Sequence, residues 1–193
     1  MKIIEDLDVY AFRKGWPKWA CMFIPIFYPA TWPIIVYRFG SWVIRIKNPI
    51  FRIPLYLVYF PFKRLVEVLT TIDISERAVI DEGLFIAHIG NIVIGYPAEI
   101  GHHASIHQGV TIGGEGSGGD YPKIGNMVYL SAGAKIVGPV KIGNGVVVGA
   151  NAVVVKDAPD NAVLGGVPAK IISSRGSREF IHYRGKDPAP PRP

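Results

Sequence analysis

From Thr71 onward an aliphatic side chain returns every six residues, a period that neither an α-helix nor an alternating strand produces. It runs through Ile74, Ile80, Ile86 and Ile92, shifts by two, and resumes at Ile94, Ile100, Ile106, Ile112, Ile124, Leu130, Ile136, Ile142, Val148 and Val154, with one repeat skipped. Glycine often follows the aliphatic residue, as in Ile94-Gly95, Ile124-Gly125 and Ile142-Gly143, and a small or β-branched residue stands four positions after it, as in Ala98, Ala104 and Ala134. A period of six belongs to solenoids in which each repeat supplies one short flat strand and a turn, three repeats closing a triangular coil. The aliphatic side chains then stack inward, coil on coil, and the small residues permit tight corners. A sandwich would need alternating strands with turn signals every 8 to 12 residues, which this spacing lacks. Residues 71–172 are therefore predicted to form a mainly β, parallel β-helix. The skipped repeat falls in residues 113–123, whose five glycines predict a loop projecting from the coil.

Ahead of the repeats, residues 1–70 read as an apolar, basic, helical segment. Trp19 to Tyr37 carries no charge and approaches a bilayer-spanning length, but Pro25, Pro29 and Pro33 break helical hydrogen bonding and predict an interfacial or re-entrant segment instead of a straight span. Asp and Glu precede the apolar run, which argues against a signal peptide. Two short helices are expected, from Ile34 to about Asn48 and from about Ile50 to Thr70, with Pro49, Pro54 and Pro61 constraining them. After the repeats, residues 173–193 form a basic tail, proline-rich at its end, expected to have little fixed structure beyond its first turns.

The 193 residues suit one principal domain, and 49% hydrophobic against 19% charged residues excludes a disordered chain. Cys21 is the sole cysteine, so no intrachain disulfide forms, and its apolar neighbours mark it as a small hydrophobe, not a nucleophile. The net charge of +6 divides as +6 over residues 1–72, −3 over 73–172 and +3 over the tail. An acidic centre without a recognition motif excludes nucleic acid as partner. Basic ends beside aromatic stretches point to peripheral membrane contact through residues 15–65, with the protein cytoplasmic at the inner face of the membrane; packing of those aromatics on the repeat domain or a neighbouring subunit is the alternative.

Within the repeats, Ile72-Asp73-Ile74, Ala87-His88, Gln108-Gly109-Val110-Thr111-Ile112-Gly113-Gly114, the glycine-rich loop through Pro122-Lys123-Ile124-Gly125, and Gly165-Gly166-Val167-Pro168-Ala169-Lys170 occur in that order. Together they resemble the serine O-acetyltransferase branch of the hexapeptide acyltransferases over about residues 70–172. The long helical N-terminal domain of the serine enzymes is absent, and residues 34–70 look more like the lead-in of polysaccharide-modifying acetyltransferases. The resemblance implies a left-handed β-helix, a homotrimer, and acetyl-CoA bound in a groove between neighbouring subunits.

Acetyl transfer to a hydroxyl needs a group to take the hydroxyl proton near neutral pH, and imidazole is suited to it. The resemblance places His88 as that base and Asp73 as its carboxylate partner. Fifteen residues separate the two, near one coil of eighteen. His107 follows His88 by nineteen residues, about one coil above, which leaves two readings, a place lining the acceptor pocket or a surface position. Gly113, Gly114, Ala132 and Ala150 match positions where small residues let the pantetheine arm approach the backbone, with an N–H near Gly114 facing the oxyanion. Lys156 and Lys170 are expected at the phosphates. His102 and His103 read as a solvated corner pair. No metal site is expected, since nothing around them has ligand spacing.

The serine enzymes carry an aspartate before the catalytic histidine and an Arg-His pair before the loop proline. Here those positions hold Ala87 and Asp120-Tyr121. Loss of both charges removes the partners of a zwitterion and predicts a neutral acceptor, a saccharide hydroxyl of a polysaccharide or its precursor, with Tyr121 stacking on the sugar. Serine O-acetyl transfer is the alternative.

Overall fold

The computed structural model describes residues 2–116 and 121–185. Four helices come first: α1 (Lys2–Arg13), the short α2 (Ile24–Phe27), α3 (Trp32–Val43) and α4 (Pro49–Thr70). The uncharged stretch is broken, as its prolines require: 3-10 turns at Lys18–Phe23 and Pro29–Thr31 flank α2, and the chain bends by 103° between Lys18–Phe27 and Pro29–Val43. Among the described residues no single helix is long and apolar enough to cross a membrane. Asn48 caps α4 by accepting from the Ile50 N–H at 2.9 Å, and the helix runs through Pro54 and Pro61 without ending.

The repeats form a left-handed parallel β-helix of about four turns. Its first face stacks β1 (Ile72–Ile74), β4 (Ile92–Ile94), β7 (Thr111–Gly113), β10 (Lys135–Val137) and β13 (Val153–Val154). The second stacks β2 (Val79–Ile80), β5 (Glu99–Ile100), β8 (Lys123–Ile124) and β11 (Lys141–Ile142). The third stacks β3 (Phe85–Ile86), β6 (Ser105–Ile106), β9 (Tyr129–Leu130), β12 (Val147–Val148) and β14 (Val163–Gly165), and closes with the antiparallel β15 (Lys170–Ser173). The periodic aliphatics from Ile74 to Val154 are all buried, so the six-residue period is the inward-facing row. The two-residue shift has a location. Ile86 pairs with Ile106, yet Ile92 faces Val110, so the corner that holds His88 carries two residues more than the corner above it.

A parallel solenoid leaves its first coil with unpaired backbone groups. Here the N-terminal helices supply the missing partners. The Tyr10 hydroxyl accepts from the Ile86 N–H at 2.9 Å and donates to the Ile86 carbonyl at 2.8 Å. Tyr37 does the same for β2, accepting from Ile80 N–H at 3.1 Å and donating to Ala78 O at 2.9 Å. Arg38 donates to the Ile80 and Asp81 carbonyls and to both Asp6 oxygens, and Asp6 also accepts from Leu84 N–H at 2.9 Å. Burial raises the Asp6 pKa more than these donors lower it.

The tail differs from expectation over its first half. Ser177 and Ile181 are buried, and Arg184 forks onto the Asp8 carboxylate at 3.0 to 3.2 Å. An apolar side chain and an ion pair, neither periodic, hold it down. The proline-rich end, residues 186–193, lies outside the described residues, as do loop residues 117–120.

Candidate functional site

His88 stands on the corner between the third face and the first, two residues beyond the end of β3. Extending the strand register past Ile106↔Leu130 and Leu130↔Val148 stacks Gln108, Ala132 and Ala150 in one column. Corner hydrogen bonds fix it, Gly133 N–H to Gln108 O at 2.9 Å and Asn151 N–H to Ala132 O at 2.9 Å, while below them Gly109 N–H donates to Gly90 O at 2.8 Å, which sets Gly90 under Gln108 and leaves His88 and Ile89 as the two extra residues of the corner. By the same register His107 sits above Ala87, and its ring centroid is 6.2 Å from that of His88. His88 is thus one of the two extra corner residues, and in the single chain it is exposed.

His107 is half-buried, and burial, then His88, then Arg13 lower its pKa, which keeps it neutral at neutral pH. A row of rings continues from it. Tyr129 lies 4.9 Å from His107 and Phe180 of the C-terminal segment 4.9 Å from Tyr129. Arg13, at the end of α1, stacks 3.9 Å over the Phe85 ring and donates to the Phe180 carbonyl at 3.3 Å. Its guanidinium is thus held on the face that carries His107, and among the described residues no carboxylate pairs with it.

The remaining predicted residues fall elsewhere. Asp73 lies exposed on the first face, 3.7 Å from Lys63 Nζ, and is not hydrogen-bonded to His88; the last turns of α4 bring Lys63 to it instead. Gly113, Gly114, Tyr121 and Lys156 gather at the opposite corner, between the first and second faces. Tyr121 packs where a Cβ on Gly95 or Gly114 would sit, 2.6 Å from either, so both positions are glycine because the ring occupies the space. Lys170 begins the antiparallel β15. One chain therefore carries the predicted site as two separate corner columns. His102 and His103 are half-buried under the tail, not solvated: the His103 ring stacks 3.8 Å from Tyr183, and burial lowers its pKa. Among the described residues no three His, Cys, Asp or Glu side chains cluster as metal ligands. Cys21 is buried, and burial raises its thiol pKa.

Sequence reading missed Arg13, Tyr129 and Phe180. Tyr129 had a visible signal, an aromatic at an outward strand position beside His107. Arg13 and Phe180 lie outside the repeats and reach the site only through tertiary packing.

The model of the bacterial transferase hexapeptide (six repeats) matches residues 121–156. A serine acetyltransferase of Mycobacterium tuberculosis is 48% identical over 107 residues, 54% of this chain and 47% of that protein, so the chain spans about half of that relative's length. A serine acetyltransferase of Synechococcus elongatus is 35% identical over 179 residues, 92% of this chain and 68% of that protein. A solved serine acetyltransferase in complex with CoA superposes with a TM-score of 0.70 at 29% identity, covering 88% of this chain and 68% of that one. These relatives overturn the saccharide acceptor expected from Ala87 and Tyr121. That expectation sought charge only within the repeats, and a cation reaches the site face from α1.

Proposed function

We propose, on the premise that this chain belongs to the serine acetyltransferase family of hexapeptide-repeat transferases, that it transfers acetyl from acetyl-CoA to the hydroxyl of L-serine. The observation that carries this reading is the 35% identity to a named serine acetyltransferase across nearly the whole chain. His88 takes the hydroxyl proton as the oxygen attacks the thioester carbonyl, and the imidazolium returns that proton to the departing CoA thiolate. Products are O-acetylserine and CoA, and His88 ends as it began. Asp73 is the carboxylate that family resemblance assigns to orient the imidazole, once freed from Lys63. Neutral His107 lines the acceptor side.

The active unit is proposed as a homotrimer. An exposed base is half a site, and Gly113, Gly114 and Tyr121 lie at a different corner of the same chain; a neighbouring subunit would set that corner against His88 and bury both. The Ala132 and Ala150 column fits the donor, because methyl side chains stacked at about 4.8 Å per coil leave backbone open to an extended pantetheine arm. Lys156 and Lys170 are the cations proposed for the phosphates. Arg13, stacked 3.9 Å over Phe85 three residues before His88 in sequence, is the cation proposed for the serine carboxylate.

Purified protein given acetyl-CoA and L-serine is expected to release CoA and form O-acetylserine at an enzymatic rate. Absence of serine-dependent CoA release rejects the proposed acceptor.

A further inference from the structure

Helix α4 is 22 residues long, about 33 Å at 1.5 Å per residue, and it packs on α3 through one side only. Tyr59 and Thr70 are its buried residues. Opposite them, Ile50, Phe51, Leu57, Val58, Leu65 and Val68 are between 54% and 77% exposed. At 100° per residue they fall in one uncharged arc of about 120°, a third of the circumference. Six such side chains present on the order of 600 Å² of apolar surface, at the upper limit of what a monomeric protein leaves uncovered. The helices of the first seventy residues share an unusual charge pattern. From Val9 to Val66 there is no acidic residue, while nine basic ones occur. Arg45, Lys47 and Arg52, around the start of α4, pair with no carboxylate among the described residues.

We infer that the outward face of α4 docks on an anionic lipid bilayer, with its apolar arc in the headgroup boundary and Arg45 and Lys47, just before the helix, against lipid phosphates. Charge selects this occupant over a second copy of the chain. Two α4 faces brought together would gather basic flanks with no acids between Val9 and Val66 to offset them, whereas an anionic surface attracts each cation. Arg52, Lys63, Arg64 and Glu67 keep the helix from spanning, so it lies in the interface plane. The inference does not depend on which hydroxyl is acetylated.

The test is co-sedimentation of the full chain with vesicles of phosphatidylglycerol and phosphatidylcholine, beside vesicles of phosphatidylcholine alone. The wild type is expected to pellet with the anionic vesicles at least tenfold more strongly. Val58→Glu/Leu65→Glu is expected to lower that partition tenfold or more with acetyl transfer in solution unchanged, and Arg45→Ala/Lys47→Ala about thirtyfold, at about tenfold per 1.4 kcal/mol. Failure of the wild type to pellet overturns the proposal. So does undiminished binding by the Val58→Glu/Leu65→Glu variant, or self-association through Val58 and Leu65 without vesicle binding, measured by sedimentation equilibrium.

Discussion

Replacing Tyr10 by phenylalanine removes one oxygen and keeps the ring, which is 4% exposed and packs 4.7 Å from Phe85. That oxygen stands in for a preceding strand, holding both the N–H and the carbonyl of Ile86. Without it two backbone groups on a fully buried residue lose their partners, and the phenylalanine ring leaves no room for water to replace it. An unsatisfied buried group costs about 1–3 kcal/mol, so Tyr10→Phe is expected to destabilise the fold by about 2–4 kcal/mol. For a chain of this size that lowers the melting temperature by about 5–15 °C, measured by circular dichroism at fixed protein concentration. Because Ile86 leads directly into Ala87-His88, the turnover number should fall as well, with KM for acetyl-CoA unchanged. A melting temperature within about 1 °C of wild type would refute the idea that tyrosine hydroxyls cap the open end of the solenoid.

Burial lowers the pKa values of His103 and His107 below 6.5, so the folded state binds fewer protons than the unfolded one between the folded and unfolded values. Their contribution to stability is complete above pH 6.5 and is lost as the pH falls through that value and toward the folded pKa values. The urea midpoint should therefore be lower at pH 5.5 than at pH 7.5, and His103→Gln/His107→Gln should flatten the difference; an unchanged slope in that variant contradicts the assignment. Arg13→Ala should raise KM for L-serine about tenfold or more, the worth of a charge-assisted hydrogen bond, and leave KM for acetyl-CoA alone. Arg13→Lys should recover part of the loss. Equal effects on both substrates would mean that Arg13 acts through the fold.

The β-helix was legible because a single rule, one inward aliphatic in six, repeats along a hundred residues and tolerates local exceptions. Even the phase shift between Ile92 and Ile94 was visible, although its meaning, a corner enlarged beside His88, needed the strand register. The bend in the uncharged stretch followed from Pro25, Pro29 and Pro33, because missing donors break helices wherever they occur. Helix α1 and the docking of the tail were not read. Both depend on scattered contacts, such as Tyr10 with Ile86 and Arg184 with Asp8, that join residues far apart and leave no periodic trace. The acceptor was misread for the same reason. Absence of charge at Ala87 and Tyr121 is local, while Arg13 arrives from another helix. The corner columns explain why Asp73 and Tyr121 do not meet His88 within one chain: stacking brings together residues at equal positions in successive coils, not residues on different faces.

The direct test is acetyl transfer to L-serine by His88→Ala, followed through CoA release at pH 7.5. With the base removed, the turnover number is predicted to fall by about a hundredfold to ten-thousandfold, while the melting temperature and CoA binding stay as in wild type, since within its own chain the residue is exposed and outside the core. Turnover equal to wild type would contradict the account, because the proton would then leave the hydroxyl by another route.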